Sequence, residues 1–142
     1  MPGARRDPFR NYSFLVEIDG DQSAAFKSVS GLAAEVEVVE LYEVSNPLPH
    51  KIPGRVHFPN VTLTRGVTTS KDLWDWWQTV LDGSVQRRTV AILLLDDSRA
   101  IMLRWLLHNA WIARIEGPTL EAGGKGLAIE SIELAHEGLE LV

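Results

Sequence analysis

The alternation of apolar and polar residues predicts a chain built mostly of β-strands. Apolar residues recur at every second position in residues 12–18 and 34–44, which is the spacing of strands buried on one face. Residues 89–95 are apolar on both faces and predict a central strand. Residues 101–115 predict a longer strand that is bulged near residues 108–109.

One segment interrupts this pattern with prolines. Residues 45–54 hold three prolines and a glycine, and proline cannot donate a hydrogen bond to a strand ladder. The segment therefore does not predict a regular strand. It predicts the tip of a long projecting hairpin over residues 39–61, whose return arm runs from residue 56 to residue 63. Apolar residues on such an arm usually mark a partner surface. The alternative is that the arm folds back over its own core.

A single helix is predicted over residues 70–82. Thr69 or Ser70 can cap its first amides, and Gly83 ends it. Three of the five tryptophans of the chain fall in this helix. At about 100° per residue they lie on one apolar arc, so we expect a core contact and not a ligand-stacking site. The arc comprises Leu73, Trp74, Trp76, Trp77, Val80 and Leu81.

Strands before and after one helix predict a single domain over residues 1–142, with an N-terminal arm at residues 1–8. A last strand is expected over residues 127–142. The predicted fold class is mainly β, an antiparallel sandwich or barrel-like structure with one flanking α-helix and a long extended hairpin. The 142 residues suffice to bury a core without disulfides, and cysteine is absent.

Composition and motifs narrow the function. The net charge of −5 argues against nucleic acid as a specific ligand. No apolar run approaches the roughly 20 residues of a membrane span, so no stable membrane insertion is expected. The four histidines lack metal-ligand spacing, and no nucleophile elbow, P-loop or dinucleotide fingerprint occurs. We therefore expect no enzyme, no metal and no cofactor; a small β-barrel enzyme or ligand binder remains the alternative from another class.

Several segments together resemble a known family. They read DPFRNYSFLVEIDG, FKSVSGLAAEVEVVE, LTRGVTTSKDLWDWWQTVLDG and AIESIELAHEGLE, in this order along the whole chain. This pattern resembles the inner tube proteins of contractile phage tails and of phage-tail-like contractile injection systems. The stretch Ser45 to Lys51 departs from the more glycine-rich and charged hairpin tip of that family.

The resemblance implies a structural role. Hexameric rings of the subunit would stack helically into a hollow tube that carries cargo and is driven through the target envelope when the sheath contracts. Partners would be further copies of the chain, a sheath protein, baseplate, hub and tube-initiator proteins, and a lumenal cargo or tape-measure protein. The particle would assemble in the bacterial cytoplasm and act there or after release. The alternative within the same machine is a tube-initiator or baseplate-adaptor ring protein.

The resemblance also assigns roles to surfaces. The hairpin would contact the adjacent ring, the polar side of the helix would face the sheath, and glutamates would line the lumen. The predicted contact between rings comprises Asn46, Pro47, Leu48, Pro49, His50, Lys51 and Ile52. The predicted sheath-facing residues are Lys71, Asp75, Gln78 and Asp82. The lumen candidates are Glu35, Glu37, Glu130 and Glu133.

Overall fold

A computed structural model of the protein describes residues 13–22, 26–124 and 126–142. The predicted N-terminal arm, residues 1–8, lies outside the described residues. Ten strands and one helix occur within the described part of the chain. They are β1 (Ser13–Ile18), β2 (Asp21–Gln22), β3 (Ser28–Ser30), β4 (Glu35–Glu43), β5 (Asn46–His57), β6 (Val61–Gly66), α1 (Asp72–Leu81), β7 (Arg88–Leu95), β8 (Ile101–Glu116), β9 (Ile129–Ala135) and β10 (Leu139–Leu141).

Two antiparallel sheets share strand β8. The strand order is β2-β1-β7-β8-β9-β6-β3, and β10 pairs with β8 beside this path. The first half of β8 pairs with β7 and its second half pairs with β9, so one long strand belongs to both sheets. The mainly β, antiparallel fold with a single helix confirms the predicted fold class. β7 lies between β1 and β8, and its consecutive residues Val90 to Leu93 are all buried, so both of its faces are covered.

The predicted bulge in β8 is present. Val90 faces Leu107 and Arg88 faces Ala110, so two residues of β8 oppose one residue of β7. Asn109, inside the bulge, has a φ of 51°. Asparagine is among the few side chains that tolerate this left-handed region. A bulge bends its strand and increases the local twist, which lets β8 leave one sheet and enter the other.

The hydrophobic core lies between the two sheets. Strand β6 shows the alternation clearly, because Val61, Leu63 and Arg65 are buried while the residues between them are half-buried. The helix adds Leu73 and Trp76 to the same core. The Trp76 indole N–H donates to the carbonyl oxygen of Gln86 at 2.7 Å, so its polar group is satisfied despite burial. Core side chains come from β1, β7, β8 and β9 as well, namely Val16, Ile18, Val90, Ile92, Leu107, Ala110, Ile112, Ile132 and Leu134.

The helix is shorter than predicted and docks by a narrower stripe. It begins at Asp72, whose backbone N–H donates to the hydroxyl of Ser70 at 3.4 Å, while the preceding residue Lys71 provides no side-chain cap. The expectation that all three tryptophans belong to the core is wrong for Trp74, which is 42% exposed. The backbone of the helix lies closest to that of β8, and side chains of β6 and β7 also reach it: Arg65 bonds Asp72, and the Arg88 guanidinium lies 4.9 Å from the ring centre of Trp76. The buried stripe of the helix is formed by Leu73 and Trp76, three residues apart.

The predicted last strand is two strands. Residues 136–138 interrupt it, and the chain then returns to the first half of β8, where Leu139 faces Leu107. The backbone N–H of Glu137 donates to the carbonyl oxygen of His108, and the N–H of His108 donates to the carbonyl oxygen of Gly138. The break follows from the bend in β8, because one straight strand cannot pair with both halves of a bent one.

Candidate assembly surfaces

The hairpin consists of β4 and β5, which form a separate two-stranded sheet. Its strands pair from Glu35 opposite His57 to Glu43 opposite Asn46, and Val44 and Ser45 form the turn. The prediction that residues 45–54 contain no regular strand is wrong, because β5 runs through Pro47, Pro49 and Pro53. The hairpin therefore covers residues 35–57 and not 39–61.

The position of the prolines explains why a strand forms. β5 has only one partner strand, so the side without a partner requires no amide donor. The pairing register also shifts twice, between Leu41 and Glu43 and between Val36 and Val38. The opposing residues at these two shifts include all three prolines. Proline is thus confined to a free edge and to bulges, the places where strands accept it.

The hairpin exposes an unusual amount of apolar surface. Val38 faces Pro53 and the next pair is Val39 with Ile52, so apolar pairs point to both faces of the hairpin. Near the turn, Val44 is fully exposed and Leu48 is 72% exposed. The exposed apolar residues of the hairpin are Val36, Val38, Leu41, Tyr42, Val44, Leu48, Ile52 and Val56.

Nothing else in the described part of the chain covers this surface. β4 and β5 contact each other, and neither contacts another strand or the helix among residues 13–22, 26–124 and 126–142. An isolated two-stranded hairpin is marginally stable in water. Contiguous exposed apolar side chains mark protein contacts. The hairpin therefore carries an apolar surface that no other strand, nor the helix, covers within the described residues.

The predicted contact residues make up only part of this apolar surface. Of the predicted contact residues 46–52, Asn46 lies next to the turn, while Ile52 lies well along the arm opposite Val39. Asn46 and Pro49 are partly covered, and the other five are exposed. The apolar residues of β4 were missed. Adjacent apolar residues at positions 38–39 and 41–42 were the available signal, because a half-buried strand alternates.

The outer side of the helix carries the four predicted polar residues. Lys71, Asp75, Gln78 and Asp82 are all exposed, and the Gln78 amide donates to the Asp82 carboxylate at 3.1 Å. The surface is not purely polar, because Leu81 on this helix is 62% exposed.

A buried ion cluster attaches the start of the helix to the second sheet. Arg65 in β6 directly opposes Glu130 in β9, and its Nε donates to the Glu130 carboxylate at 2.6 Å. One terminal nitrogen of Arg65 donates to Asp72 at 2.8 Å, and the guanidinium lies 5.7 Å from the ring centre of Phe26. Residue order could not reveal this cluster, since Arg65 and Glu130 meet only through strand pairing.

Burial and pairing act on this cluster in opposite directions. Burial tends to raise the pKa of Asp72, but the hydrogen bond and positive charge of Arg65 outweigh it, so the pKa is lowered. Burial likewise tends to lower the pKa of Arg65, and its two carboxylate partners raise it overall. Both groups are therefore charged near neutral pH, and the ion pair holds the first turn of the helix on the sheet.

The lumen candidates separate into two groups. Glu130 is 5% exposed and is bound by Arg65, so its prediction as a lumen-lining residue is corrected: it belongs to the interior of the subunit. The reason is the pleat, because Glu130 points to the same side as the core residues Ile132 and Leu134. Glu35 and Glu37 are exposed on β4, and Glu133 is half-buried beside Arg114 at 3.8 Å.

Within residues 13–22, 26–124 and 126–142, no group of three or more histidine, aspartate or glutamate side chains is arranged to hold a metal ion. Among the same residues, the helix is too short and too polar to cross a membrane.

The described residues thus form a two-sheet β-structure with one outer helix and an uncovered hairpin. The model of the T4-like virus tail tube protein gp19 family matches residues 10–140. The chain therefore belongs to this family, and the resemblance of its sequence to tail tube proteins is confirmed. None of the curated proteins matches the chain.

Solved structures share this fold over nearly the whole chain. The anti-feeding prophage cap (AFP tube terminating cap) is 24% identical, with a TM-score of 0.90 over 100% of this chain and 95% of that chain. The PVC sheath-tube complex of an extracellular contractile injection system, in the extended state, is 25% identical, with a TM-score of 0.86 over 95% and 91%. Hcp1 from Flavobacterium johnsoniae is 12% identical, with a TM-score of 0.61 over 90% and 93%.

Proposed function

We propose that the chain is the main inner tube subunit of a contractile phage-tail-like injection system, with a structural and not a catalytic role. The uncovered hairpin carries the proposal, because a monomer with such a surface is incomplete. Membership of the tail tube family and similarity to a sheath-tube complex of an injection system support it.

In the proposed assembly, subunits form hexameric rings that stack head to tail. The hairpin and the surface that receives it differ, so the contact is heterologous and does not close, and a filament results. Ring closure would also pair sheet edges that a monomer leaves open. The tube would be part of a phage-tail-like particle assembled in the bacterial cytoplasm.

The remaining surfaces receive partners in this proposal. Lys71, Asp75, Gln78 and Asp82 on the helix would face the sheath, since they are exposed on the side opposite the core. A ring at the tube end would contact the baseplate or hub. A cargo or tape-measure protein would occupy the lumen, where Glu35, Glu37 and Glu133 remain candidates for an acidic wall.

Shortening the hairpin tests the role of this element. Leu41 faces His50, so residues 42–49 can be replaced by Asn-Gly, a two-residue turn that preserves the register of the remaining pairs. The subunit should fold as before, because the hairpin packs on no other element of the described chain. Electron microscopy and sedimentation should show tubes for the wild type and only rings or monomers for the variant.

A matched control replaces the exposed turn between β7 and β8 instead. Residues 97–98 can be changed to Asn-Gly, which leaves the hairpin intact and should leave tube length unchanged. Tubes of normal length from the shortened variant would exclude the hairpin as the contact between rings. Monomers alone from the wild type, even at high concentration with sheath and baseplate proteins present, would contradict the proposed function as a whole.

A second candidate is a protein that forms a single ring at an end of the tube, such as an initiator, adaptor or terminator. Similarity to the AFP tube terminating cap and to the AFP baseplate structure, with TM-scores of 0.90 and 0.81, favours considering it. Polymerisation distinguishes the two. A main tube subunit extends into tubes when baseplate seeds are added, whereas an end protein stops after one ring.

A further inference from the structure

An apolar groove of about 320 Å³ lies beside the root of the hairpin. One wall comes from the neighbouring strands β1, β7 and β8, and the other comes from β3 and the residues flanking it. The groove exists because β3 is only three residues long and cannot cover the end of the opposite sheet. The groove is lined by Phe14, Leu94 and Trp105 on one wall and by Lys27, Val29 and Leu32 on the other.

The hairpin of the same subunit cannot fill this groove with its tip. Leu32 forms part of the wall, and β4 starts only three residues later at Glu35. From there β4 runs for nine residues before the turn at Val44. At roughly 3.3 Å per residue, the tip lies about 30 Å from the groove. The apolar tip of a subunit therefore does not reach the apolar groove of the same subunit.

The tip and the groove are complementary in chemistry. The tip presents the exposed side chains of Val44 and Leu48, and the floor of the groove is partly exposed and apolar. The carboxylate of Glu43, beside Val44, is 3.7 Å from His50 and its side chain is 61% exposed. Lys27 is the charged residue that lines the groove, and it is exposed. An apolar contact flanked by an ion pair would satisfy both surfaces.

We infer that the hairpin tip of one copy inserts into the groove of the next copy. Val44 and Leu48 pack against Phe14, Leu94 and Trp105, and Glu43 pairs with Lys27. Because tip and root lie one hairpin length apart, the same contact repeats along the stack with every copy in the same orientation. The inference rests on the proposed function and adds to it the acceptor surface for the hairpin.

Charge reversal tests the ion pair. Lys27→Glu or Glu43→Lys should each raise the critical concentration for tube assembly by about tenfold, since each places like charges together at every contact. The double variant should return to within about threefold of the wild type. Lys71→Glu is the control, because it makes the same charge change at an exposed position outside the groove and the hairpin.

Cross-linking tests the distance between the two surfaces. The chain has no cysteine, so Lys27→Cys with Glu43→Cys gives two unique thiols. A short bis-maleimide added to assembled tubes should give a ladder of linked subunits. An equal mixture of the two single variants should give linked dimers only, and each single variant alone should give none.

Each outcome decides the inference. Tubes that form normally without cross-links, together with normal assembly of Lys27→Glu, would overturn the inference and leave the proposed function intact. Cross-links within isolated monomers would assign the groove to the subunit's own hairpin and overturn it. If the thiol of Lys27→Cys were protected in tubes but not cross-linked, another occupant would fill the groove, and this would also overturn the inference. Absence of tubes from the wild type would instead contradict the proposed function.

Discussion

The hairpin and strand β6 contain similar apolar residues, but β6 buries them and the hairpin exposes them. In β6, Leu63 is fully buried, whereas Leu48 in the hairpin is 72% exposed. Strand β6 has paired neighbours on both sides and a covered face, but the hairpin has neither. An apolar side chain left in water forfeits roughly 1.5–3 kcal/mol relative to a buried one. The apolar residues of β6 are thus buried within the subunit, whereas those of the hairpin are left in contact with water.

Charged residues also differ in burial between strand β6 and the hairpin. Arg65 in the body is fully buried and bonded to two carboxylates. The glutamates of β4 are exposed, and Glu43 has only a long contact to His50. Charges in the body therefore hold the subunit together, while charges on the hairpin are available to another copy. The following substitutions separate these roles, from the largest expected effect on stability to the smallest.

Arg65→Met should have the largest effect. It leaves the buried carboxylate of Glu130 without its partner, and breaking a buried pair in this way costs about 3–5 kcal/mol. The loss should appear as a lower midpoint in chemical denaturation of the isolated subunit. The control is Arg87→Met, which breaks an exposed ion pair with Glu137 and should cost less than about 1 kcal/mol. Equal losses in the two variants would contradict the structural role of the Arg65 cluster.

A matched pair of leucine substitutions compares the two regions directly. Leu63→Ala should destabilise the subunit by about 2–5 kcal/mol, because it removes a fully buried side chain from the core. Leu48→Ala should change the free energy of unfolding by less than about 0.5 kcal/mol while weakening tube assembly. Denaturation and sedimentation measure the two quantities. If Leu48→Ala destabilised the monomer as strongly as Leu63→Ala, the hairpin would be packed on its own subunit.

Asp72→Asn should have a small effect on stability, and one that depends on pH. The pKa of Asp72 is lowered in the folded subunit, so its ion pair contributes above the unfolded pKa of about 3.9. The contribution is lost as the pH falls through the folded pKa. Since the side chain is 45% exposed, we expect a loss of about 0.5–1 kcal/mol at pH 7.

The difference between wild type and Asp72→Asn should shrink below pH 4 and vanish in stronger acid. Asp75→Asn is the control, because it removes a charge from the same first helical turn but leaves the bonds of Arg65 intact. A loss for Asp72→Asn that did not change with pH would contradict an electrostatic role.

Several elements could be predicted from the sequence because their signals are local. The central strand β7 follows from an apolar run, and the bulge at Asn109 from polar residues inside a long strand. The helix follows from its apolar period and from Gly83 after its end. These features depend on residues within a few positions of one another.

The predictions that proved wrong concern residues whose surroundings depend on segments distant in the sequence. Prolines in β5 are compatible with a strand because the strand has one partner only. Trp74 lies outside the buried stripe of the helix, and the last strand divides because β8 bends. Glu130 reads as a surface glutamate until strand pairing places it opposite Arg65.

The sequence by itself determined the family, the mainly β class, the single helix and the existence of a long hairpin. The family was indicated by the resemblance of segments along the whole chain. Periodicity and local turn chemistry are sufficient for the other three features, since each is set by residues close in the chain. Only the tertiary structure decided which side chains lack partners: Arg65 is satisfied in the core, while Val44 and Leu48 are left uncovered. Burial is a property of contacts between distant segments, so an exposed valine and a buried one look alike until the chain is folded.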